Sequence, residues 1–352
     1  MSLSQDLHAH FAGLNRRDAF PGVVLVRQAA ATIFEGAFGL ASRAWAVPNT
    51  LETRFDTASI TKLFTAAAVL QMIDAGALTL DTPVLGYLGL SGTTISARVT
   101  VFHLLTHTSG IGDDADEEAG ERYEDLWRDK PSYSVLETVD FLPQFIHKPA
   151  NFEPGQGCRY NNAGFILLGL CVEKAAGMRY RDYVRERVFG PAGMAAAGFF
   201  RMDEVARNVA EGADPVVDAD GVVTSWRRNI YSYPPIGSPD GGAYATASDL
   251  DRFLRAARTG RLFSARLTQE FLRPHALHST TQTRTSRYGL GLEFVSGPDD
   301  RLRFLQKDGL NAGASGILRY YPDDDLSVVL LSNTARGVWQ PARDIDAMVR
   351  GC

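Results

Sequence analysis

Strand-type and helix-type segments are segregated along this 352-residue chain, and their order restricts the fold more than any other feature. Near the N-terminus, the segments 22–28 and 30–41 are rich in Val, Ile and Phe and closely joined, which predicts an antiparallel hairpin. Similar runs return near the C-terminus, at 287–295, 302–309, 316–322 and 326–333. The two ends can share one antiparallel sheet only if the middle of the chain is an insertion between them.

Helical patterns fill the middle and both termini of the chain. Residues 3–14 and 340–350 are predicted as short terminal helices. The segment 60–75, "ITKLFTAAAVLQMIDA", has an apolar stripe at helical spacing and is followed by a glycine. A further helix is expected between an N-cap at Asn162 and a C-terminal stop at Gly177.

These patterns predict an α/β (α+β) fold, in which an antiparallel β-sheet is flanked by helices and carries a large, mostly helical inserted region. We expect one domain from residues 1–58 and 286–352, and a second from residues 59–285. The active site is then expected in the cleft between the two domains.

Charge and hydropathy exclude two classes of partner. The net charge is −5 and no Lys/Arg cluster is present, so we expect no nucleic-acid ligand. No apolar run approaches the ~18–20 residues that span a bilayer, so we expect no membrane partner. The first residues lack the charged and apolar regions of a signal peptide, which predicts a cytoplasmic location. The oligomeric state stays open.

Several other features receive plain structural interpretations. Cys158, Cys171 and Cys352 are too few and odd in number for a disulfide framework, which predicts free thiols. The acidic run "DDADEE", Asp113 to Glu118, is interpreted as a solvated loop. "YGLGLEF" lacks the strand, turn and helix of a nucleotide fingerprint, and we expect no cofactor.

The stretch "FDTASITKLF", residues 55–64, places Ser59 three positions before Lys62 at the start of a predicted helix. Residues i and i+3 share a helix face, and the free N–H groups of a helix start lie beside the serine. A serine hydroxyl needs a base, and a lysine amine is one only if burial and nearby positive charge lower its pKa. The alternative is an N-cap serine followed by a solvent-facing lysine.

Two further segments carry side chains suited to the same chemistry. Tyr160 and Asn162 precede an apolar helix, where a phenol can shuttle protons and an amide can orient a substrate carbonyl or the lysine. The alternative is an N-cap asparagine beside a packed tyrosine. In "QKDG", residues 306–309, a lysine and a glycine end a strand, so a backbone edge can approach a ligand beside a cation. The alternative is a charged turn.

In this order, the three segments resemble the serine hydrolases related to penicillin-binding proteins and class C β-lactamases, which include D-aminopeptidases, D-alanyl-D-alanine carboxypeptidases and β-lactamase-like (family VIII) carboxylesterases. The resemblance runs over most of the chain. Its supporting segments are "FDTASITK" (55–62), "LLTHTSGI" (104–111), "FEPGQGCRYNNAGFILLG" (152–169), "VFGPAGM" (188–194), "DGGAYATASDLDRFL" (240–254), "YGLGLEF" (288–294) and "KDGLNAGASG" (307–316).

The resemblance implies a role for each matching residue. Ser59 corresponds to the acylated nucleophile, Lys62 to its activating partner and Tyr160 to a proton shuttle. The implied substrate-binding and oxyanion residues are Asn162, Lys307, Asp308, Gly309 and Leu310. The backbone N–H groups of Ser59 and Leu310 would form the oxyanion hole. We expect Lys62 and Tyr160 to act as a pair, each lowering the proton affinity of the other.

Asp308 departs from the pattern, since β-lactamases typically have a threonine there that helps to hold a substrate carboxylate. An acid at this position weakens the case for β-lactam substrates.

The resemblance, with this departure, implies a serine hydrolase that acts through an acyl-enzyme on small esters, amides or peptides, of the carboxylesterase or D-amino-acid peptidase type. The alternatives are β-lactamase or D-Ala-D-Ala carboxypeptidase activity, and an inactive binding protein on the same fold.

A zinc hydrolase is a rival interpretation. His103 and His107 have the i, i+4 spacing of a zinc helix, but Leu104 follows the first histidine where a glutamate is expected. We therefore expect no metal.

Overall fold

The computed structural model describes residues 2–16 and 19–351. In chain order, the strands are β1 (Gly22–Gln28), β2 (Ala31–Phe38), β3 (Leu40–Ser42), β4 (Val47–Pro48), β5 (Phe55–Asp56), β6 (Ala213–Val217), β7 (Val223–Arg228), β8 (Tyr244–Ala245), β9 (Ala276–Thr280), β10 (Thr285–Tyr288), β11 (Glu293–Ser296), β12 (Leu302–Asn311), β13 (Ala314–Tyr321) and β14 (Leu326–Ser332). The α-helices are α1 (Leu3–Arg16), α2 (Thr61–Asp74), α3 (Val84–Leu88), α4 (Val101–Leu105), α5 (Ala163–Ala176), α6 (Tyr180–Tyr183), α7 (Gly190–Ala192), α8 (Ala247–Arg258), α9 (Ala265–Phe271) and α10 (Trp339–Gly351). A 3₁₀ turn, Ala58–Ile60, leads straight into α2, and a π-helical turn, Val184–Phe189, joins α6 to α7.

An eight-stranded antiparallel sheet holds the two ends of the chain together. Its strand order is β2-β1-β14-β13-β12-β11-β10-β9. The N-terminal strand β1 pairs with the C-terminal strand β14, from Gly22 opposite Ser332 to Gln28 opposite Leu326. The predicted N-terminal hairpin and the predicted fold class are therefore confirmed.

The segment 287–295, predicted as one strand, folds as two. β10 and β11 are separated by a tight turn that includes Gly291 at φ +92°. Glycine adopts that backbone conformation without strain, and the N–H of Gly289 donates to the carbonyl of Leu292 across the turn. The two glycines therefore break the run into a hairpin.

Strands also occur inside the region predicted to be mostly helical. The β6–β7 hairpin lies in the middle of the chain, and β9 joins the large sheet as an edge strand. The sheet thus takes in Ala276–Thr280, ahead of the predicted boundary at residue 286. The division into two domains stays a prediction.

Apolar side chains cover both faces of the sheet. On one face, α1 and α10 pack through residues such as Leu7, Phe11 and Ile345. On the other face, α2 shares one apolar core with the sheet and with α5. All residues of α2 from Thr61 to Leu70 are buried, so the helix is enclosed on every side. It is a rigid base for the residues at its start.

Within the described residues, no helix has both the length and the apolar character that crossing a membrane requires. Cys158 is partly buried, Cys171 is buried, and both are free thiols, as predicted. Cys352 lies outside the described residues.

Candidate active site

Ser59 lies in the 3₁₀ turn before α2, directly beside strand β12. The preceding Ala58 has φ +44°, a left-handed conformation that strains a residue with a Cβ atom. On the strand, a Cβ atom added to Gly309 would lie 2.4 Å from the carbonyl oxygen of Thr57 and 3.0 Å from the nitrogen of Ser59. Glycine at this position therefore lets the strand backbone approach the serine backbone closely.

One edge of β12 is left open where it passes this turn. β11 pairs with β12 between Leu302 and Gln306, whereas β13 pairs with β12 as far as Asn311. None of the other strands in the described residues covers the remaining edge. Leu310 lies in this part of the strand, half exposed, and lines the same cleft as Ser59. The two predicted oxyanion donors thus border one cleft.

The side chain of Lys62 is fully buried, and its Nζ has three partners. It lies 3.1 Å from Ser59 Oγ, 2.7 Å from Asn162 Oδ1 and 2.6 Å from the main-chain carbonyl oxygen of Asp240. The last two are acceptors only. A neutral amine therefore gives its two N–H bonds to Asn162 and Asp240, and its lone pair is left facing the serine hydroxyl.

The pKa of Lys62 is lowered from 10.5 to about 8, and burial is the largest cause. The neighbouring cation of Lys307 contributes to this lowering, whereas the negative charges of Asp240, Glu117 and Asp113 oppose it. This is the environment that the sequence predicted for the lysine, namely burial with a nearby positive charge. A useful fraction of the amine is therefore neutral, and able to accept a proton, near neutral pH.

The hydroxyl of Tyr160 donates a hydrogen bond of 2.7 Å to Ser59 Oγ. Burial, together with the negative charge of Glu117, raises the pKa of this phenol well above its usual range. The pKa of Tyr160 thus lies above its usual range, so the lowered proton affinity expected for the pair is not found at the tyrosine. Tyr160 keeps its proton, and the lysine is the better candidate for the base.

Asn162 stands at the N-cap position of α5, but its side chain makes no capping bond. Its Oδ1 accepts from Lys62, and its Nδ2 donates to Oε1 of Glu117 at 3.0 Å. Because a carboxylate can only accept, Glu117 determines which end of the amide faces the lysine. The proposed alternative of a capping asparagine is thus replaced by a bridge between a lysine and a carboxylate.

The acidic run at 113–118 is folded onto the site. Its interpretation as a solvated loop is wrong for Asp113 and Asp114, which are buried, and holds for Glu117 and Glu118, which are exposed. Asp113 accepts from the N–H groups of Asn162 and Ala163, which begin α5. Asp116 forms a two-pronged ion pair with Arg159. Glu118 Oε1 accepts from the N–H of Tyr160 at 2.8 Å. These carboxylates fix the backbone that carries Tyr160 and Asn162.

The two histidines of "HLLTH" have other partners than a metal. Nδ1 of His103 accepts from the N–H of Thr100 at 3.2 Å, and Nδ1 of His107 accepts from the N–H of Asn161 at 3.1 Å. The His107 ring lies 4.8 Å from the Tyr160 ring and packs against it. In residues 2–16 and 19–351, no group of three or more His, Cys, Asp or Glu side chains is arranged to hold a metal ion.

Lys307 and Asp308 lie beside Tyr160 but differ in exposure. Lys307 is buried, with its Nζ 4.7 Å from the centre of the Tyr160 ring and 3.6 Å from Asp308 Oδ1. The Asp308 side chain is 43% exposed, yet its charge helps to raise the pKa of Tyr160 and Tyr288. The charge of Asp308 therefore partly offsets the charge of Lys307 beside Tyr160.

The cleft in front of Ser59 is open to solvent, and the space between its walls and at its mouth is about 510 Å³. One wall is apolar and aromatic, and it is formed by Phe200, Met202, Tyr233, Pro234, Pro235, Ile236 and Tyr244. Three acids, Asp56, Glu117 and Asp240, also line the space. The cleft is thus shaped for an apolar group and has a surplus of negative charge.

The sequence did not identify Asp240 and Glu117 as site residues, and the reasons differ. Asp240 binds Lys62 through its main-chain oxygen, which no side-chain pattern can indicate. Glu117 lies within the acidic run, and the only available signal was the number of acids in six consecutive residues.

A profile of the Beta-lactamase family matches residues 7–351, and the chain belongs to that family. It is a serine hydrolase of the esterase or peptidase type, as the sequence predicted.

Among curated proteins, the esterase EstB of Burkholderia gladioli is 30% identical over 95% of this chain and 91% of its own length. The D-aminopeptidase of Brucella anthropi is 31% identical, over 50% of this chain and 32% of its own length. Among solved structures, a penicillin-binding protein from Bacillus halodurans superposes with a TM-score of 0.87, at 37% identity, over 97% of this chain and 99% of that one.

Proposed function

We propose that Ser59 is the nucleophile of a two-step acyl transfer and that the protein hydrolyses neutral or amine-bearing esters and amides. The observation that supports this most directly is the contact of one hydroxyl with two proton-handling groups. Ser59 Oγ lies 3.1 Å from Lys62 Nζ and 2.7 Å from the Tyr160 hydroxyl. Nucleophile and base within hydrogen-bond reach are the signature of covalent catalysis.

In the first step, the lone pair of neutral Lys62 takes the hydroxyl proton as Ser59 Oγ attacks the substrate carbonyl carbon. The carbonyl oxygen becomes an oxyanion, and the N–H groups of Ser59 and Leu310 stabilise it. Such a donor is worth about 2.7–4 kcal/mol of transition-state stabilisation. The proton held by Lys62 then passes to the leaving alcohol or amine, directly or through the Tyr160 hydroxyl.

In the second step, a water molecule attacks the acyl-enzyme. Lys62 takes a proton from the water, and the resulting oxyanion occupies the same site beside Leu310. Collapse releases the acid and returns the proton to Ser59 Oγ. The bonds broken and formed balance with no cofactor, so we propose none.

Electrostatics favours substrates without a carboxylate near the scissile bond. Asp308 offsets the cation of Lys307 at 3.6 Å, and Glu117 adds negative charge to the cleft wall. Like charges brought together in a cleft cost several kcal/mol, and penicillins, cephalosporins and peptides with a free C-terminus all carry such an anion. A substrate ammonium group is instead attracted. Neutral esters, and esters or amides of amino acids with a free amine, are therefore our proposed substrates.

The inactive binding protein is the less favoured alternative, because Ser59, Lys62 and Tyr160 are all present and in mutual contact through Ser59 Oγ.

The cytoplasmic location remains a proposal from the sequence alone.

Intact mass spectrometry after treatment with a fluorophosphonate tests the nucleophile. We expect one adduct, located on Ser59, and we expect Ser59→Ala to lose both the adduct and the hydrolysis of p-nitrophenyl acetate. The exposed Ser134→Ala is the matched control and should keep both. An adduct that persists in Ser59→Ala would contradict the proposal.

A further inference from the structure

Two adjacent carboxyl groups, those of Asp113 and Asp114, are buried behind the site. Their exposed fractions are 4% and 1%. Neither residue lines the cleft in front of Ser59, so neither is placed to touch a substrate. Their burial is expensive unless each group is neutral or well hydrogen-bonded. The hydrogen bonds around the two carboxyl groups differ and favour a charged Asp113 and a neutral Asp114.

Asp113, although burial raises its pKa to about 7, is placed to be the charged member. Its carboxylate accepts from the N–H groups of Asn162 at 2.9 Å, Ala163 at 2.8 Å and Asp114 at 3.0 Å. Asn162 and Ala163 begin the 14-residue helix α5, whose free N–H groups and dipole favour a negative charge. The same Asn162 holds Nζ of Lys62 at 2.7 Å. Asp113 is therefore connected to Lys62 through one intervening residue, Asn162.

Asp114 is placed to be the neutral member. Its Oδ1 accepts from the N–H of Ala115, whereas its Oδ2 is buried and has no hydrogen-bond partner of good geometry among the described residues. Asp113, Asp240 and Tyr123 are titratable side chains that interact with this carboxyl group, and none of the three is a cation. Nζ of Lys148 binds the main-chain oxygen of Asp114. Burial and the charges of Asp113 and Asp240 raise the pKa of Asp114 well above its usual range.

We propose that Asp113 and Asp114 form a carboxyl pair with a single proton, carried by Asp114, and that ionised Asp113 is a positioning residue that holds Asn162, and through it Lys62, in the reactive arrangement. Two carboxylates this close cannot both ionise at low cost, and a proton on Asp114 supplies a donor for its neighbour. The proposal uses the role assigned above to Lys62, but two of its tests need no catalysis.

The first test is the stability of Asp114→Asn. The folded protein binds the Asp114 proton more tightly than the unfolded chain does, so this group makes the free energy of unfolding fall as pH rises above about 4. An amide has the shape of the protonated acid and can still donate to Asp113. We expect the variant to match or exceed the wild-type melting temperature at pH 8, and to lose stability less steeply between pH 4 and 8. A variant that melts well below wild type at pH 8 would overturn the proposal.

The second test is the infrared carbonyl band of a protonated carboxyl group, recorded at pH 8 in the inactive Ser59→Ala background. At this pH Asp113 and Asp56, whose pKa values burial raises to about 7 and about 6, are mostly ionised. We expect the band to be present, and to disappear when Asp114→Asn is added. The exposed Asp323→Asn, added instead, should leave it unchanged. Absence of the band at pH 8, or its survival in the Asp114→Asn protein, would overturn the proposal, and neither result depends on the nucleophile.

The third test separates positioning from mere stability. In Asp113→Asn, the amide can turn an N–H donor toward the backbone N–H groups that begin α5, which Asp113 accepts from in the wild type. Asn162 should then shift away from Lys62. We expect kcat to fall at least about tenfold, with KM within about threefold of the wild-type value. The acid limb of kcat/KM should also move to lower pH, because the charge of Asp113 raises the pKa of Lys62. Asp114→Asn should keep kcat within about twofold and leave the limb in place. Equal effects of the two substitutions on kcat and on the pH profile would overturn the assignment of charged and neutral members.

Discussion

Oε1 of Glu117 accepts a hydrogen bond of 3.0 Å from Nδ2 of Asn162, so a residue in an acidic loop determines how an amide is presented to Lys62. The carboxylate cannot donate, and Oδ1 of the asparagine must therefore face the lysine. The same carboxylate lines the cleft in front of Ser59. Glu117 therefore influences the orientation of Asn162 beside the base, and it also adds negative charge to the cleft that a substrate would enter.

Glu117→Gln keeps the size of the side chain and removes its charge. We expect kcat/KM for D-alanine p-nitroanilide to fall at least about tenfold relative to that for p-nitrophenyl acetate, the equivalent of about 1.4 kcal/mol. The reason is that the ammonium group loses its attraction, whereas the neutral ester never had it. Both rates should be measured at pH 7, where the amine of the substrate is still largely protonated; a change in the ionisation of Lys62 affects both substrates alike and cancels in the ratio. The exposed Glu204→Gln is the control, and an unchanged ratio in Glu117→Gln would exclude this ammonium site.

The pH dependence of kcat/KM should follow the ionisation of Lys62. Because the neutral amine is the base, the rate should rise with pH and level off above the pKa of about 8. Lys307→Gln removes a positive charge that lowers this pKa, so the limb should move to higher pH. Glu117→Gln removes a negative charge that raises it, so the limb should move to lower pH. Profiles measured with one neutral ester compare the three proteins directly.

Opposite shifts in these two variants are the result that identifies Lys62 as the titrating base. If both limbs move the same way, or if neither moves, another group controls the rate. Circular dichroism should first show that each variant is folded.

Gly309→Ala tests the close approach of β12 to Ser59. The added methyl group would meet the carbonyl oxygen of Thr57 at 2.4 Å, and backbone atoms cannot yield as a flexible side chain can. We expect kcat/KM to fall by about 100-fold or more, because the oxyanion donors move apart, with a loss of stability of about 1–3 kcal/mol. Gly86→Ala is a matched control, since its Cβ would meet no atom within 4 Å and it lies in helix α3. Equal activity of the two variants would show that the strand has room to move.

Local features of this site were predictable, and distant ones were not. Ser59 and Lys62 share one helical turn, so their contact follows from their spacing. The bond between Lys62 and the main-chain oxygen of Asp240 joins residues far apart in the chain, and a carbonyl group has no sequence signature. The acidic run is interpreted from the sequence as a solvated loop because acids are concentrated in it. The burial of Asp113 depends on the N–H groups that begin α5, which only the fold brings to it.

The fold likewise has features that the sequence indicates and features that it does not. The sharing of one sheet by β1 and β14 could be argued from strands at both ends of the chain, if the middle of the chain is an insertion between them. The split of 287–295 was also visible in principle, since glycines at Gly289 and Gly291 interrupt the run. β9 could not be found this way, because the segment Ala276–Thr280 is mostly polar and exposed and becomes a strand only by pairing with β10.

Asp308→Thr should shift substrate preference toward β-lactams. In the wild type, Asp308 lies 3.6 Å from Lys307 and offsets the cation that would otherwise attract a substrate carboxylate. We expect kcat/KM for p-nitrophenyl acetate to exceed that for a cephalosporin by at least about tenfold, or about 1.4 kcal/mol. The substitution should narrow this gap by raising the cephalosporin rate, because it removes a repulsive charge and adds a hydroxyl donor.

The exposure of the Asp308 side chain, 43%, makes the outcome informative in both directions. Water screens an exposed charge, so a carboxylate that acted only through the solvent would have little effect on either substrate. Asp308 nevertheless contributes to the raised pKa of Tyr160, which touches Ser59 Oγ, so its charge reaches the reacting atoms. Asp323→Thr changes an exposed acid in the turn that follows β13 and is the control for a general change in net charge. If wild type hydrolyses the cephalosporin as fast as the ester, and Asp308→Thr changes neither rate, then the charge at position 308 does not select the substrate.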